Sequence, residues 1–206
     1  SLRRAAITAL LTVTTLCLIE LLDRALQLDL YRFGIYPRSL ADLPNVLSAP
    51  LIHGNWNHVL SNSFPLAILL TALLYAYPRS AIVTLTLIYI GSGICVWLFA
   101  RESYHFGASG LTHGMMFYIF TSGILRRDRQ SIALSMIVFF LYGGMIWTIF
   151  PQEPGISYES HFFGAAAGVI AAFAFSRRDP LPLKKHYDWE EEDTADDTDP
   201  PRDKAG

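Results

Sequence analysis

An all-α membrane protein is the fold class that the 206-residue chain predicts, as a bundle of six transmembrane helices with both termini on the cytoplasmic side. Three observations carry it. The chain is 52% hydrophobic and only 17% charged, with a mean hydropathy of +0.32, where soluble domains carry about 25% charged residues. The apolar residues gather in six segments, roughly 5–22, 58–77, 80–100, 109–125, 131–150 and 161–176. Most of these approach the ~20 residues that span a ~30 Å hydrocarbon core. Lys and Arg are also shared unevenly between the two sides that such a bundle defines.

The first segment is read as a helix rather than a cleavable signal peptide, because no small-residue cleavage site follows it. A long loop, about 23–57, leads into the second. Arg79 stands between the second and third, and Arg126, Arg127 and Arg129 between the fourth and fifth. The sixth closes at Arg177 and Arg178. With the N-terminus inside, the inner side holds Arg3, Arg4, Arg79, Arg126, Arg127, Arg129, Arg177, Arg178, Lys184, Lys185, Arg202 and Lys204. The outer side holds only Arg24, Arg32, Arg38 and Arg101, which is the bias that sets topology. Nothing repeats internally. Cys17 and Cys95 lie in apolar runs with no metal-ligand spacing and read as small core residues.

Two domains follow: a membrane-embedded core over 1–178, and a tail over 179–206. Of the eighteen acidic residues, nine (Asp188, Glu190, Glu191, Glu192, Asp193, Asp196, Asp197, Asp199 and Asp203) lie between Asp188 and Asp203 of that tail. Its polar, proline-bearing composition predicts a disordered, solvated cytoplasmic segment.

The polar residues of the core are not scattered. His53, His58, His105, His113 and His161 all fall at or beside the outer ends of the segments. Counting outward from each inner arginine at ~1.5 Å per residue places Ser109, Asn62 and His161 at about the same depth, ~25 Å from the inner marker. His58 is one turn above Asn62 on the same face. Ionisable groups are costly in hydrocarbon, so this clustering predicts a site.

Glycines supply the approach. Gly110 and Gly114 are four apart on the fourth helix, and Gly164 and Gly168 are four apart on the sixth, on the face of His161. Small residues at this spacing let membrane helices touch backbone to backbone. If the two faces meet, Ser109 comes within reach of His161. A serine hydroxyl becomes a nucleophile when a neutral histidine takes its proton. The N–H groups opening the fourth helix, with the Asn62 amide and the His58 imidazole, could then receive a developing oxyanion. Glu159 is two residues from His161 and off its face, so the pattern is a dyad rather than a triad.

Together these residues resemble the rhomboid family of intramembrane serine proteases. Gly107-Ala108-Ser109-Gly110 matches the family's GxSG. His161-Phe162-Phe163-Gly164 with Gly168 matches HxxGxxxG, and the run from His53 through His58 to Asn62 matches HxxxxHxxxN. The resemblance implies Ser109 as nucleophile, His161 as general base, and His58, Asn62 and the Ser109 backbone N–H as the oxyanion hole. Gly107, Gly110, Gly114, Gly164 and Gly168 would pack the helices around them, with His53 and His113 in supporting positions. It implies a site open to the outer, periplasmic side of a bacterial inner membrane. The implied partners are transmembrane protein substrates and the lipid bilayer, with no nucleic acid, metal or cofactor. In that family the fifth helix and the loop before the sixth, here about 131–150 and Pro151–Ser160, act as a gate.

There are two departures. Many relatives carry an aromatic residue four positions after the serine, stacked on the catalytic histidine; this chain has His113. A Trp-Arg pair common in the first outer loop is replaced by Tyr31-Arg32 or Pro37-Arg38. Ser109-Gly110-Leu111-Thr112-His113-Gly114 is also similar to the rhombosortase branch, which processes C-terminal glycine-glycine sorting tails. Two other functions use the same residues differently: an inactive rhomboid-like protein that binds and routes membrane partners, and a metal or ion carrier with His53, His58, His113 and His161 as ligands. His53 is expected to be a structural hydrogen-bonding residue, and His105 a solvated loop residue.

Overall fold

The computed structural model describes residues 1–151 and 155–181. Most of the acidic tail, and His186 with it, lies outside the described residues. Among the described residues there is no strand; a single antiparallel bridge joins Ile35 and His105. The rest is helix and turn. We label the long helices α1 (Leu2–Leu26), α2 (Trp56–Ala76), α3 (Ala81–Phe99), α4 (Ser109–Arg126), α5 (Arg129–Tyr142) and α6 (Tyr158–Phe175). A 3-10 segment, Gly143–Ile149, extends α5, and α3 contains one π-helical turn at Leu87–Gly91.

Five of these rods are long and apolar enough to cross a membrane: α1, α2, α3, α5 with its extension, and α6 with the turn that follows it. The protein is therefore an integral membrane protein by both its helices and its surface, which shows Leu10, Leu11, Leu18, Phe64, Ile82, Phe140 and Phe173 to the outside. α4 is not among the five. It carries Gly110, Thr112, His113, Gly114, Ser122 and Gly123, and all of these are buried. α4 is the central rod, packed most extensively against α6 and also against α2 and α5. A helix that meets protein on most sides gains its stability from packing and need not be lipid-like all round.

The ends are capped locally. The Asn55 side chain accepts from His58 N–H at 2.8 Å and starts α2; Asp128 accepts from Ser131 N–H at 3.0 Å and starts α5; Ser157 accepts from Ser160 N–H at 3.3 Å and starts α6. α1 stops at Gln27, which takes a left-handed conformation (φ 51°). The N-terminal end of α3 is closed by the Asp179 carboxylate, which accepts from Arg79 N–H (2.7 Å) and Ser80 N–H (3.2 Å). Asp179 is buried, so the ordered core reaches at least one residue past 178.

The long loop between α1 and α2 has its own small core. Ile35, Val46 and Ala49 pack on Val96 and Ala100 of the α3 end. Trp97 donates from its indole to Ser39 O (2.8 Å), and Arg38 from its guanidinium to Ala100 O (2.8 Å). Arg38, read from sequence as one of two stand-ins for the missing pair, thus ties the loop to α3. This docking presents Ala49 to the turn before α4.

Candidate active site

Ser109 is the first residue of α4, so its N–H has no partner four residues back within the helix. The turn that delivers it needs glycine. Gly107 has φ +112°, and a Cβ there would lie 2.7 Å from the His58 ring. Gly107 N–H donates to Ala49 O at 2.9 Å, and Ala108 N–H donates to His53 Nε2 at 3.3 Å. His53 is buried, and it acts on the turn rather than on the cavity that holds the serine. Burial and the nearby His58 lower its pKa to about 4, which keeps the ring neutral and Nε2 an acceptor.

The glycine faces meet as their spacing predicts. A Cβ built on Gly164 would collide with Gly110 O, and one on Gly168 with Gly114 O. Gly110 in turn has Ser160 O 3.0 Å from its Cβ position, and Gly114 has Ile88, from the π turn of α3, in the same place. α4 and α6 therefore touch backbone to backbone over two turns, at the level of Ser109 and His161.

Ser109, His161, His58, Asn62 and His113 all line one cavity of about 910 Å³, with Thr148, Ser157 and Arg101 also on its wall. Among the described residues Ser109 Oγ has no hydrogen-bond partner. Contacts of this kind are commonly long until substrate arrives. His161 Nδ1 lies 3.0 Å from Thr148 O. A carbonyl only accepts, so the proton is on Nδ1 and the lone pair of a neutral ring is on Nε2. Asn62 donates one amide proton to His58 O at 3.0 Å and has a second to offer. The His53 and His58 rings meet edge to face at 4.8 Å.

Glu159 is occupied elsewhere. It is buried and pairs with the Arg101 side chain at 3.6 Å, and His161 Nδ1 is bonded to the Thr148 carbonyl rather than to this carboxylate. His113 lies flat on His161, centroids 4.0 Å apart and planes within 10°. It thus takes the stacking position by an imidazole, with Nδ1 2.7 Å from Ser109 O and Nε2 2.8 Å from Thr148 Oγ1.

That stacking also bears on metal binding. Parallel rings direct their nitrogens along separate planes; His113 already spends both of its nitrogens on Ser109 O and Thr148 Oγ1, and His161 spends Nδ1 on Thr148 O. Among the described residues no group of three His, Cys, Asp or Glu side chains converges on a point.

One expectation is corrected. His105 is not solvated: it is 1% exposed, with Nδ1 2.6 Å from Ser157 Oγ and Nε2 2.9 Å from Arg101 O. It belongs to the joint between the loop before α4 and the cap of α6, because both flanking loops fold over it. Two residues were missed outright. Thr148 sits in an apolar run, Ile146-Trp147-Thr148-Ile149, where a lone polar residue was the available signal. Glu20 is buried on α1, pairs with Arg24 at 2.9 Å, and Arg24 also donates to Gly54 O just before α2. A carboxylate within a lipid-facing helix was the signal there.

Comparison with known proteins agrees with this architecture. The Rhomboid domain family model matches residues 41–178, which takes in α2 to α6 and the later part of the first loop, with Val46 and Ala49. An uncharacterized protein of Mycobacterium tuberculosis is 33% identical over 178 residues, covering 82% of this chain and 74% of that protein. An uncharacterized protein of Mycobacterium leprae is 29% identical over 179 residues, covering 82% and 71%. Five helices fit to cross a bilayer and a family match spanning the whole site lead to one statement: the chain belongs to the rhomboid family, whose members are generally intramembrane serine proteases.

Proposed function

We propose that the protein is an intramembrane serine endopeptidase that cuts transmembrane segments of other membrane proteins near their outer ends by a Ser109–His161 dyad. The observation that carries this reading is the shared cavity: the serine at the mouth of α4 and a histidine with its Nε2 lone pair available open on the same space. All six rods would span the bilayer with both termini cytoplasmic, and the cavity would open to the outer face of a bacterial inner membrane.

His161 Nε2 takes the Ser109 proton as Oγ attacks the scissile carbonyl carbon. The carbonyl oxygen becomes an oxyanion received by the Ser109 N–H, the free Asn62 N–H and His58. The C–N bond then breaks, and the leaving amine takes the proton from Nε2, which leaves an ester on Oγ. Water attacks that ester, gives its proton to Nε2, and the collapse returns the proton to Ser109. Without a carboxylate, the Thr148 carbonyl holds the Nδ1–H through the cycle.

The test is labelling of purified protein in detergent by a fluorophosphonate probe, beside Ser109→Ala and His161→Ala. The wild type should label, Ser109→Ala should not, and His161→Ala should label very slowly. Labelling that survives Ser109→Ala sinks the reading. A protein that never labels yet retains membrane partners would instead be a binding and routing factor.

A further inference from the structure

Thr148 touches both stacked imidazoles at once. It lies in the 3-10 segment at the outer end of α5, the least buried of the five apolar spans. Its carbonyl accepts from His161 Nδ1–H at 3.0 Å. Its hydroxyl lies 2.8 Å from His113 Nε2, and also 2.8 Å from Met145 O.

The protons can be assigned. His113 Nδ1 faces the Ser109 carbonyl at 2.7 Å and must carry a hydrogen. In the neutral ring Nε2 is then a lone pair, so the single Thr148 hydroxyl proton has two acceptors in reach, Met145 O and Nε2, and its bond to Nε2 is the one that ties Thr148 to His113. His113 is thereby pinned at both ends, to the carbonyl of Ser109 and to Thr148, and its face supports His161. One chain of contacts runs through four residues: Ser109 to His113, His113 to Thr148, Thr148 to His161.

We propose that Thr148 is the positioning residue for the base: its carbonyl holds the His161 tautomer, and its hydroxyl, through His113, keeps that carbonyl and the stacked ring in register. The role given to a buried carboxylate in a triad falls here to the end of a peripheral helix. His161 is consequently aimed at Ser109 only while the Gly143–Ile149 segment is seated. A transmembrane substrate that displaced this segment on entry would have to let it return before the hydroxyl proton could move. This assignment rests on the dyad reading above.

The experiment measures saturable fluorophosphonate labelling of the full chain in detergent. It separates the limiting rate from the half-saturating probe concentration. Thr148→Val, which keeps the shape and loses the hydroxyl, should lower the limiting rate about tenfold, as expected for one oriented hydrogen bond in a water-poor site. Half-saturation should not change, and Thr148→Ser should restore the rate. His113→Phe, which keeps the stack and loses the tether, should fall similarly, and the double variant should fall no further than either single one. Wild-type rates in Thr148→Val, failure of serine to rescue, or losses that multiply in the double variant overturn the assignment alone. A wild type that does not label overturns the dyad and this assignment together. Should Thr148→Val not fold, His113→Phe labelling at the wild-type rate still overturns it.

Discussion

The Gly110 carbonyl occupies the space that a side chain on Gly164 would need. One contact therefore sets both the spacing of α4 and α6 and the approach of Ser109 to His161.

Gly164→Ala should accordingly push the helices apart. Overpacking of this kind costs about 1–3 kcal/mol, and activity should fall with it. Gly144→Ala is the control, because nothing lies within 4 Å of its Cβ position. Thermal unfolding in one detergent should show a lower Tm for the first variant and an unchanged one for the second. Equal Tm values would mean the helix contact is looser than drawn.

Gly107→Ala meets two obstacles at once. The backbone at φ +112° disfavours any side chain, at a cost of about 1–3 kcal/mol, and the new methyl group would strike the His58 ring. Both the Tm and the rate of fluorophosphonate labelling should drop. A variant with wild-type Tm but slow labelling would assign the loss to His58 alone.

His53 gives a pH dependence. Burial, then the charge of His58, lowers its pKa from 6.5 to about 4; burial also lowers that of His105. The unfolded chain thus binds more protons than the folded one between these values, and stability rises with pH there. It should be fully present above pH 6.5 and decline as pH falls toward 4. Protonation would also replace the acceptor for Ala108 N–H with a second donor. His53→Gln should flatten part of the decline in Tm between pH 6.5 and 4, with His105 contributing to the remainder. An unchanged slope would refute the assignment to His53.

Asp179 closes the N-terminal end of α3. Its carboxylate receives Arg79 N–H, Ser80 N–H and, at 2.5 Å, the Ser80 hydroxyl. Asp179→Ala removes an anion from a helix N-terminus and leaves buried donors unpaired, which costs about 1–2 kcal/mol. Asp179→Asn should recover part of the Tm by restoring an acceptor. Full stability of Asp179→Ala would show that water serves the end of α3 equally well.

Much of the fold was legible because the bilayer writes it into the sequence in lengths and charges. The segments expected at 58–77 and 109–125 appear as Trp56–Ala76 and Ser109–Arg126, and the glycine pairs meet where their spacing put them. What was not legible has a common cause. His105 reads as a loop residue because loops are solvated on average, and only the fold of two loops over it shows otherwise. The segment 131–150 reads as one helix, yet it changes to 3-10 at Gly143, and that change turns a backbone carbonyl toward His161. Periodicity reports side chains, not the direction of a carbonyl.

The sequence by itself determined the membrane class and pointed to the pairing of α4 with α6, because hydrocarbon thickness and helix rise are fixed lengths. Only the tertiary structure showed which groups His161 and His113 contact. Both sets include Thr148, which reaches the site across thirteen residues from His161 and thirty-five from His113. Hydrogen bonds between distant segments are selected by packing, and no local pattern encodes them.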